Sequence, residues 1–215
     1  MAIGDMTMSW AVLLGLGAFH GINPGMGWLF AVALGMQERR RGAVISALLP
    51  LGLGHALAVA AAIVVALLAG AVLPPYWLRW LVAGILTVLG LSRLFWHRHP
   101  RWASMRVSVG ALTLWSFLMA SAHGAGLMVV PVFLGLSMAD IHHAHHHTMA
   151  MTAGTPTSAL LATSLHAVGY LVVTAVIALL VFEKLGVGML RKAWFNLDLV
   201  WALTLIGTGV ISVVL

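Results

Sequence analysis

The sequence predicts an all-α integral membrane protein of six transmembrane helices. Three observations carry that expectation. Of the 215 residues, 62% are hydrophobic and only 7% charged, whereas soluble domains carry roughly 25% charged residues. The apolar residues fall into six stretches, each at least as long as the ~20 residues a helix needs to cross a bilayer. The bases, finally, gather in loops that alternate between those stretches.

The six stretches are 8–35, 43–70, 76–96, 107–137, 157–182 and 195–215, all within a single membrane domain, 1–215. Helices are expected because lipid leaves no water to satisfy backbone polar groups, and no alternating barrel pattern is present. Met1 to Met8 contain no basic segment and no small-residue cleavage site, so the first stretch reads as a retained span and not a signal peptide. The formal net charge is +6. With bases confined to short loops, that charge points to membrane orientation and not to nucleic acid.

Arg39, Arg40 and Arg41 lie in the first loop, Arg93, Arg98, Arg101 and Arg106 in the third, and Lys184, Arg191 and Lys192 in the fifth. Those are ten of the eleven Lys and Arg residues; only Arg79 falls on the other side. The positive-inside rule then predicts a multi-pass inner or plasma membrane protein with both termini outside. Trp10, Tyr76, Trp77, Trp96, Trp102 and Trp194 read as interfacial anchors. Glu38 and Glu183, beside basic loops, read as partners of Arg or Lys.

The chain also repeats itself. Ala18-Phe19-His20-Gly21 is echoed by Ser121-Ala122-His123-Gly124 at an offset of 103 (123 − 20). Ser46-Ala47-Leu48-Leu49 precedes His55-Ala56 as Ser158-Ala159-Leu160-Leu161 precedes His166-Ala167, at an offset of 111 (166 − 55). Units of about 1–98 and 105–215 with three spans each must cross in opposite senses. An inverted three-plus-three repeat places a binding site near the midplane between the halves.

Two spans carry signs of a break. Span one contains His20-Gly21-Ile22-Asn23-Pro24-Gly25-Met26-Gly27, where proline removes a helix hydrogen bond and glycines weaken the helix. His20, Asn23 and Met26 recur at spacings of three and would share one side of a helix. Span four carries His123-Gly124-Ala125-Gly126-Leu127-Met128, with Pro131 beyond. His55 and His166 sit inside long apolar segments, where ionisable residues face the interior. The expected path therefore comprises His20, Asn23, Met26, His55, His123, Met128 and His166. A proline kink for packing, with histidines bonded to carbonyls, is the alternative at each position.

A His-rich outer loop, 140–151, holds His142, His143, His145, His146 and His147 with Met149 and Met151. Imidazole and thioether donors suit metal capture or sensing; a solvated loop of biased composition is the alternative. Asp198, near the inner end of span six, reads either as a proton relay or as a helix N-terminal acid. No cysteine is present, which excludes thiol redox chemistry and thiolate ligation, and no Ser-His-Asp set points to an enzyme. No bound cofactor is expected. The partners are lipid and a transition-metal ion as substrate, and a homo-oligomer is compatible with such a chain.

With His20-Gly21-Ile22-Asn23-Pro24-Gly25-Met26 and Gly54-His55-Ala56 in hand, the chain resembles the NicO-type nickel/cobalt transporters of the LysE-like superfamily. Their first span typically opens with a His-Gly-Leu-Glu-Pro-Gly-His run, and a His-rich loop is common. The resemblance implies a six-span secondary transporter of nickel or cobalt. Asn23 stands where the family has glutamate and Met26 where it has a second histidine, which softens the site and brings copper(I) into range. An exporter of a small non-metal solute and a metal-sensing accessory subunit are the other readings.

Overall fold

A computed structural model describes residues 3–95, 108–143, 156–185 and 197–214, and every regular element among them is helical. In chain order these are α1 (Ile3–Ile22), a 3-10 turn at Pro24–Met26, α2 (Trp28–Glu38), α3 (Arg41–Val72), α4 (Pro75–Phe95), α5 (Val109–Ala122), α6 (Ala125–His143), α7 (Pro156–Leu180) and α8 (Leu197–Val214). A single π-helical turn, Val181–Leu185, continues α7. Stretch one thus holds α1 and α2, and stretch four holds α5 and α6.

On length and composition alone, α3 and α7 (continued to Lys184) can cross a bilayer. The pair α5 and α6, bent by 60°, makes a third when counted together; Met8–Ile22, Tyr76–Ser92 and Ala202–Ser212 are shorter apolar stretches. The outward surface is apolar over wide areas: Leu49 is 77% exposed, Leu68 66%, Val72 82% and Leu160 66%. Water does not tolerate so large a patch on a soluble monomer, whereas lipid does.

Several sequence expectations shift here. α1 begins at Ile3, ahead of residue 8. α6 runs on to His143 because no glycine or proline interrupts 136–143. Asp140, His142 and His143 are therefore helical, and the loop starts later than residue 140. Asp198 stands in the first turn of α8. Trp10 is partly buried and packs against the core cluster. His145, His146 and His147, Met149 and Met151, the bases Arg98, Arg101, Arg106, Arg191 and Lys192, and Trp96, Trp102 and Trp194 lie outside the described residues.

Packing pairs the helices across the chain: α1 lies on α7, α5 on α3 and α4 on α8, while α3 also faces α6 and α7. Glycine makes the first three contacts close. A Cβ on Gly17 would strike the His166 carbonyl, one on Gly169 the Leu14 carbonyl, and one on Gly54 the Thr113 carbonyl. A Cβ on Gly90 would sit 2.9 Å from the Ala202 carbonyl oxygen. In lipid, association relies on packing and hydrogen bonds, so small residues that let backbones meet are favoured at interfaces.

The core is one large apolar cluster that includes Leu13, Met26, Val59, Met128, Phe133, Tyr170 and Leu205. A smaller one holds Trp28, Val32, Val44, Leu51 and Ala178. As expected, the two acids pair with arginine: Arg40 Nε donates to Glu38 (2.6 Å) and Arg41 pairs with Glu183 at 3.1 Å. The second pair puts the start of α3 and the end of α7 on one face.

Enlarging an interfacial glycine should therefore cost stability. Gly169→Leu is expected to destabilise by ~1–3 kcal/mol, the usual range for overpacking. Gly15→Ala, where a Cβ meets nothing within 4 Å, should be neutral or mildly stabilising. Thermal unfolding in detergent checks both; equal melting of the two variants would contradict the backbone contact.

Candidate functional site

The break in stretch one follows from its residues. Pro24 cannot donate a helical hydrogen bond, and it biases the residue before it toward extended backbone. Asn23 is extended (φ −69°, ψ 120°), and its side-chain oxygen accepts from the Gly25 N–H at 2.9 Å. Gly27 takes φ +142°, open essentially to glycine alone. The released carbonyls find donors: Trp28 Nε1 donates to Ile22 at 2.9 Å, and the Tyr170 hydroxyl to Met26 at 2.6 Å. The second break needs no proline. α5 ends at Ala122, the His123 N–H donates to Met119 at 2.9 Å, and Gly124 turns the chain at φ +71°.

Both breaks place a histidine at the end of the preceding half-helix. His20 Nδ1 lies 2.6 Å from the Leu16 carbonyl, and His123 Nδ1 lies 2.8 Å from that of Met119. His166 repeats the device between helices, its Nδ1 lying 3.2 Å from the Leu13 carbonyl on α1. A carbonyl oxygen only accepts, so each Nδ1 carries the proton and each Nε2 keeps its lone pair. That is the tautomer of an imidazole ready to bind a cation, with the carbonyl as orienting partner.

Three rings come together. The His20, His55 and His166 side chains are fully buried. Their ring centroids are 5.1 Å apart for His20–His166, 5.3 Å for His55–His166 and 5.7 Å for His20–His55. Three imidazoles bound to one ion at ~2.1 Å would hold their centroids ~5 Å apart, so the triangle has the right size. The aim of the rings does not match it. His55 lies parallel to His166 within 4° and stacks flat on Tyr170 at 3.9 Å. Among the described residues no three His, Asp or Glu side chains converge on one point as they stand. A turn of His55 is needed to close the set, and neither of its ring nitrogens has a hydrogen-bond partner to hold it back.

The other expected path residues separate into roles. His123 is 5% exposed and lies within electrostatic reach of His20. Asn23 is a cap. Because α1 ends at Ile22, His20, Asn23 and Met26 do not share a helix face; the helical spacing assumed for them fails at Pro24. Met26 and Met128 are buried in the same apolar cluster. The side chain of Asp198 lies outside the described residues, as do those of His142 and His143. Tyr170 and Ser116 were not anticipated. Tyr170 stands four residues after His166, on the same helical face, which was the available signal. Ser116 donates to the Leu51 carbonyl at 2.6 Å and has no sequence signature.

No protein-family model matches the chain, and neither a curated protein nor a solved structure matches it significantly.

Asn23 offers a direct check on its assignment as a cap. Asn23→Ala should destabilise by ~1 kcal/mol, while Asn23→Asp keeps the acceptor and most of the stability. Thermal unfolding in detergent separates them. An unchanged melting temperature for the alanine variant, with loss only of ion binding, would return Asn23 to the ligand set.

Proposed function

We propose that the protein is a secondary membrane transporter for a soft or borderline transition-metal ion. In this reading it spans the membrane six times in two inverted halves, and the ion crosses at His20, His55 and His166. The observation that carries the reading is the burial of three imidazoles from three different helices, with ring centroids 5.1–5.7 Å apart. His55 lies near the middle of a 32-residue helix, far from either end. Ionisable residues at such depth are functional suspects by default.

The packing supports the inverted halves. α1 lies on α7 as α5 lies on α3, the exchange expected when equivalent helices are related by a two-fold axis. His20 and His123 bond the carbonyl four residues back in the same way. The donor types support the cargo: imidazole and thioether suit nickel, cobalt, zinc or copper(I), and hard ions want oxygen. On this reading the chain is a divergent relative of the NicO-type transporters. The His142–His147 tract then serves for capture or sensing at the outer mouth, where weak ligands exchange quickly.

Ion titration tests the cargo. Purified protein lacking the outer tract is expected to bind at least one of nickel, cobalt, zinc and reduced copper, with His20→Ala weakening binding tenfold or more. Binding indifferent to His20 and to Met26 would leave a non-metal LysE-like solute as the better reading.

Accessibility tests the orientation. Arg41 and Glu183 already share a face, and the positive-inside rule puts it in the cytoplasm. A cysteine replacing Arg101 should resist an impermeant thiol reagent applied from outside, and one replacing His145 should react. The reverse pattern would invert the topology.

A further inference from the structure

The glycine contacts in which backbone meets backbone at Gly17, Gly21, Gly54 and Gly169 each join a helix of the first half to one of the second, and this bears on how such a transporter moves. Between α1 and α7 the contact is backbone to backbone over several turns. A Cβ on Gly17 or Gly169 would strike the facing main chain, and one on Gly21 would lie 2.7 Å from the Tyr170 carbonyl oxygen. The His166 Nδ1–H bond to Leu13 crosses the same interface at 3.2 Å. Between α3 and α5, Gly54 meets the Thr113 carbonyl and lies 2.9 Å from the Phe117 nitrogen, again by its missing Cβ. Ser116 ties the two helices through the Leu51 carbonyl at 2.6 Å. α6 joins that unit, because Gly126 faces the Ala58 carbonyl oxygen at 3.0 Å.

The interface between α3 and α7 is of another kind. The three atoms nearest a Cβ on Gly52 all belong to the side chain of Leu171, at 2.6–2.9 Å. His55 meets Tyr170 and His166 as flat parallel rings. A flexible leucine and stacked planes present no ridge to block sliding, whereas interlocked backbones do. His20 and His166 belong to the α1/α7 unit, and His55 to the α3/α5/α6 unit.

We propose that the molecule opens along this seam: α1/α7 and α3/α5/α6 move as two rigid units, carrying His55 toward and away from the His20–His166 pair. The proposal rests on the transport reading for its purpose, though not for its geometry. Halves moving as separate bodies would have to shear every glycine contact described above. Movement at the α3/α7 seam disturbs side-chain contacts, the Arg41–Glu183 ion pair among them, which is the small sliding of packed helices that shear motions use. The break at Asn23–Gly27 is the hinge, since α1 packs on α7, whereas α2 packs more on α3 than on α7 and its π-helical end. Tyr170 is the positioning residue. Its ring carries the His55 stack, and its hydroxyl holds the hinge at Met26.

The chain has no cysteine, so spin labels can be placed in pairs on the full protein in vesicles. Val12 with Val168 reports on α1/α7, Leu53 with Leu114 on α3/α5, and Leu53 with Val172 on the seam; all five side chains are exposed. The two within-unit distances should each give one narrow distribution, unchanged by nickel or reduced copper. The seam distance should show two maxima, or shift when one of these ions is added. A seam distance that stays single and fixed overturns the proposal, and so does movement within either unit. Nickel and reduced-copper flux by the unlabelled protein, measured in parallel, judges the transport reading alone. A moving seam without flux removes the metal cargo and leaves the seam; flux across a fixed seam does the opposite.

Discussion

Carbonyls released by a helix break in an apolar interior must each find a donor within the protein, and the surroundings of the histidine cluster are arranged by that demand. Pro24 and Gly27 end one helix and start another, exposing the last carbonyls of α1 and those of the turn. The His20 carbonyl takes the Asn23 N–H, that of Ile22 takes the Trp28 indole, and that of Met26 takes the Tyr170 hydroxyl. The last of these does more than satisfy a lone pair. By pinning the Tyr170 ring it creates the flat surface on which His55 lies, and so decides which way His55 faces. An unmet carbonyl would cost roughly 1–3 kcal/mol, enough to make the tyrosine a requirement of the break and not an ornament to it.

The short distance between the imidazoles has a second source in the glycines that flank them. Helix axes usually lie 8–10 Å apart. Gly17 and Gly21 on α1 bracket His20, and Gly169 follows His166 by three residues on α7, so the two backbones meet without Cβ atoms between them. Only at such approach can the His166 ring reach across to a carbonyl of α1. The same glycines that lock the pair thus orient the His166 imidazole, which couples packing to side-chain geometry at a single interface.

Much of this was legible in the sequence, and the rest fails for identifiable reasons. The apolar stretches, the breaks after His20 and His123, and the pairing of Glu38 and Glu183 with arginine all rest on local chemistry that a linear reading captures. The cap role of Asn23 is hidden in a linear reading, because the spacing of three that groups it with His20 and Met26 is helical only up to Ile22, where α1 ends. His20, His55 and His166 were each suspected, but which rings meet depends on α1 lying against α7, a contact 146 residues apart (166 − 20) that no local pattern encodes. Tyr170 hid among aliphatic neighbours, although its place one turn after His166 was visible. The faces of these helices were also hard to read, since lipid and core are both apolar and amphipathic contrast is weak. The extent of α6 was missed because histidines suggested a loop, where nothing in 136–143 interrupts a helix.

On the proposed transport reading, the charge of the cargo would follow from the ends of the half-helices. A cation among neutral imidazoles in a low-dielectric interior is costly unless some negative potential offsets it. The C-terminus of a helix carries about −0.5 of an elementary charge, confined to the last turn. His20 sits in the last turn of α1, and His123 caps α5. At the second break, α6 begins two residues after His123, so its positive end cancels much of the effect. At the first, the Asn23–Gly27 turn separates the positive end of α2 from His20, and the negative end of α1 acts with less opposition. What reaches the His20, His55 and His166 triangle is then a fraction of one charge, with no carboxylate from Asn23 to add to it. A bare dication needs more compensation than that. A monovalent soft ion such as copper(I) does not, and a dication would have to retain water as it passed; the helix termini thus favour the softer and less charged end of the series that imidazole and thioether accept.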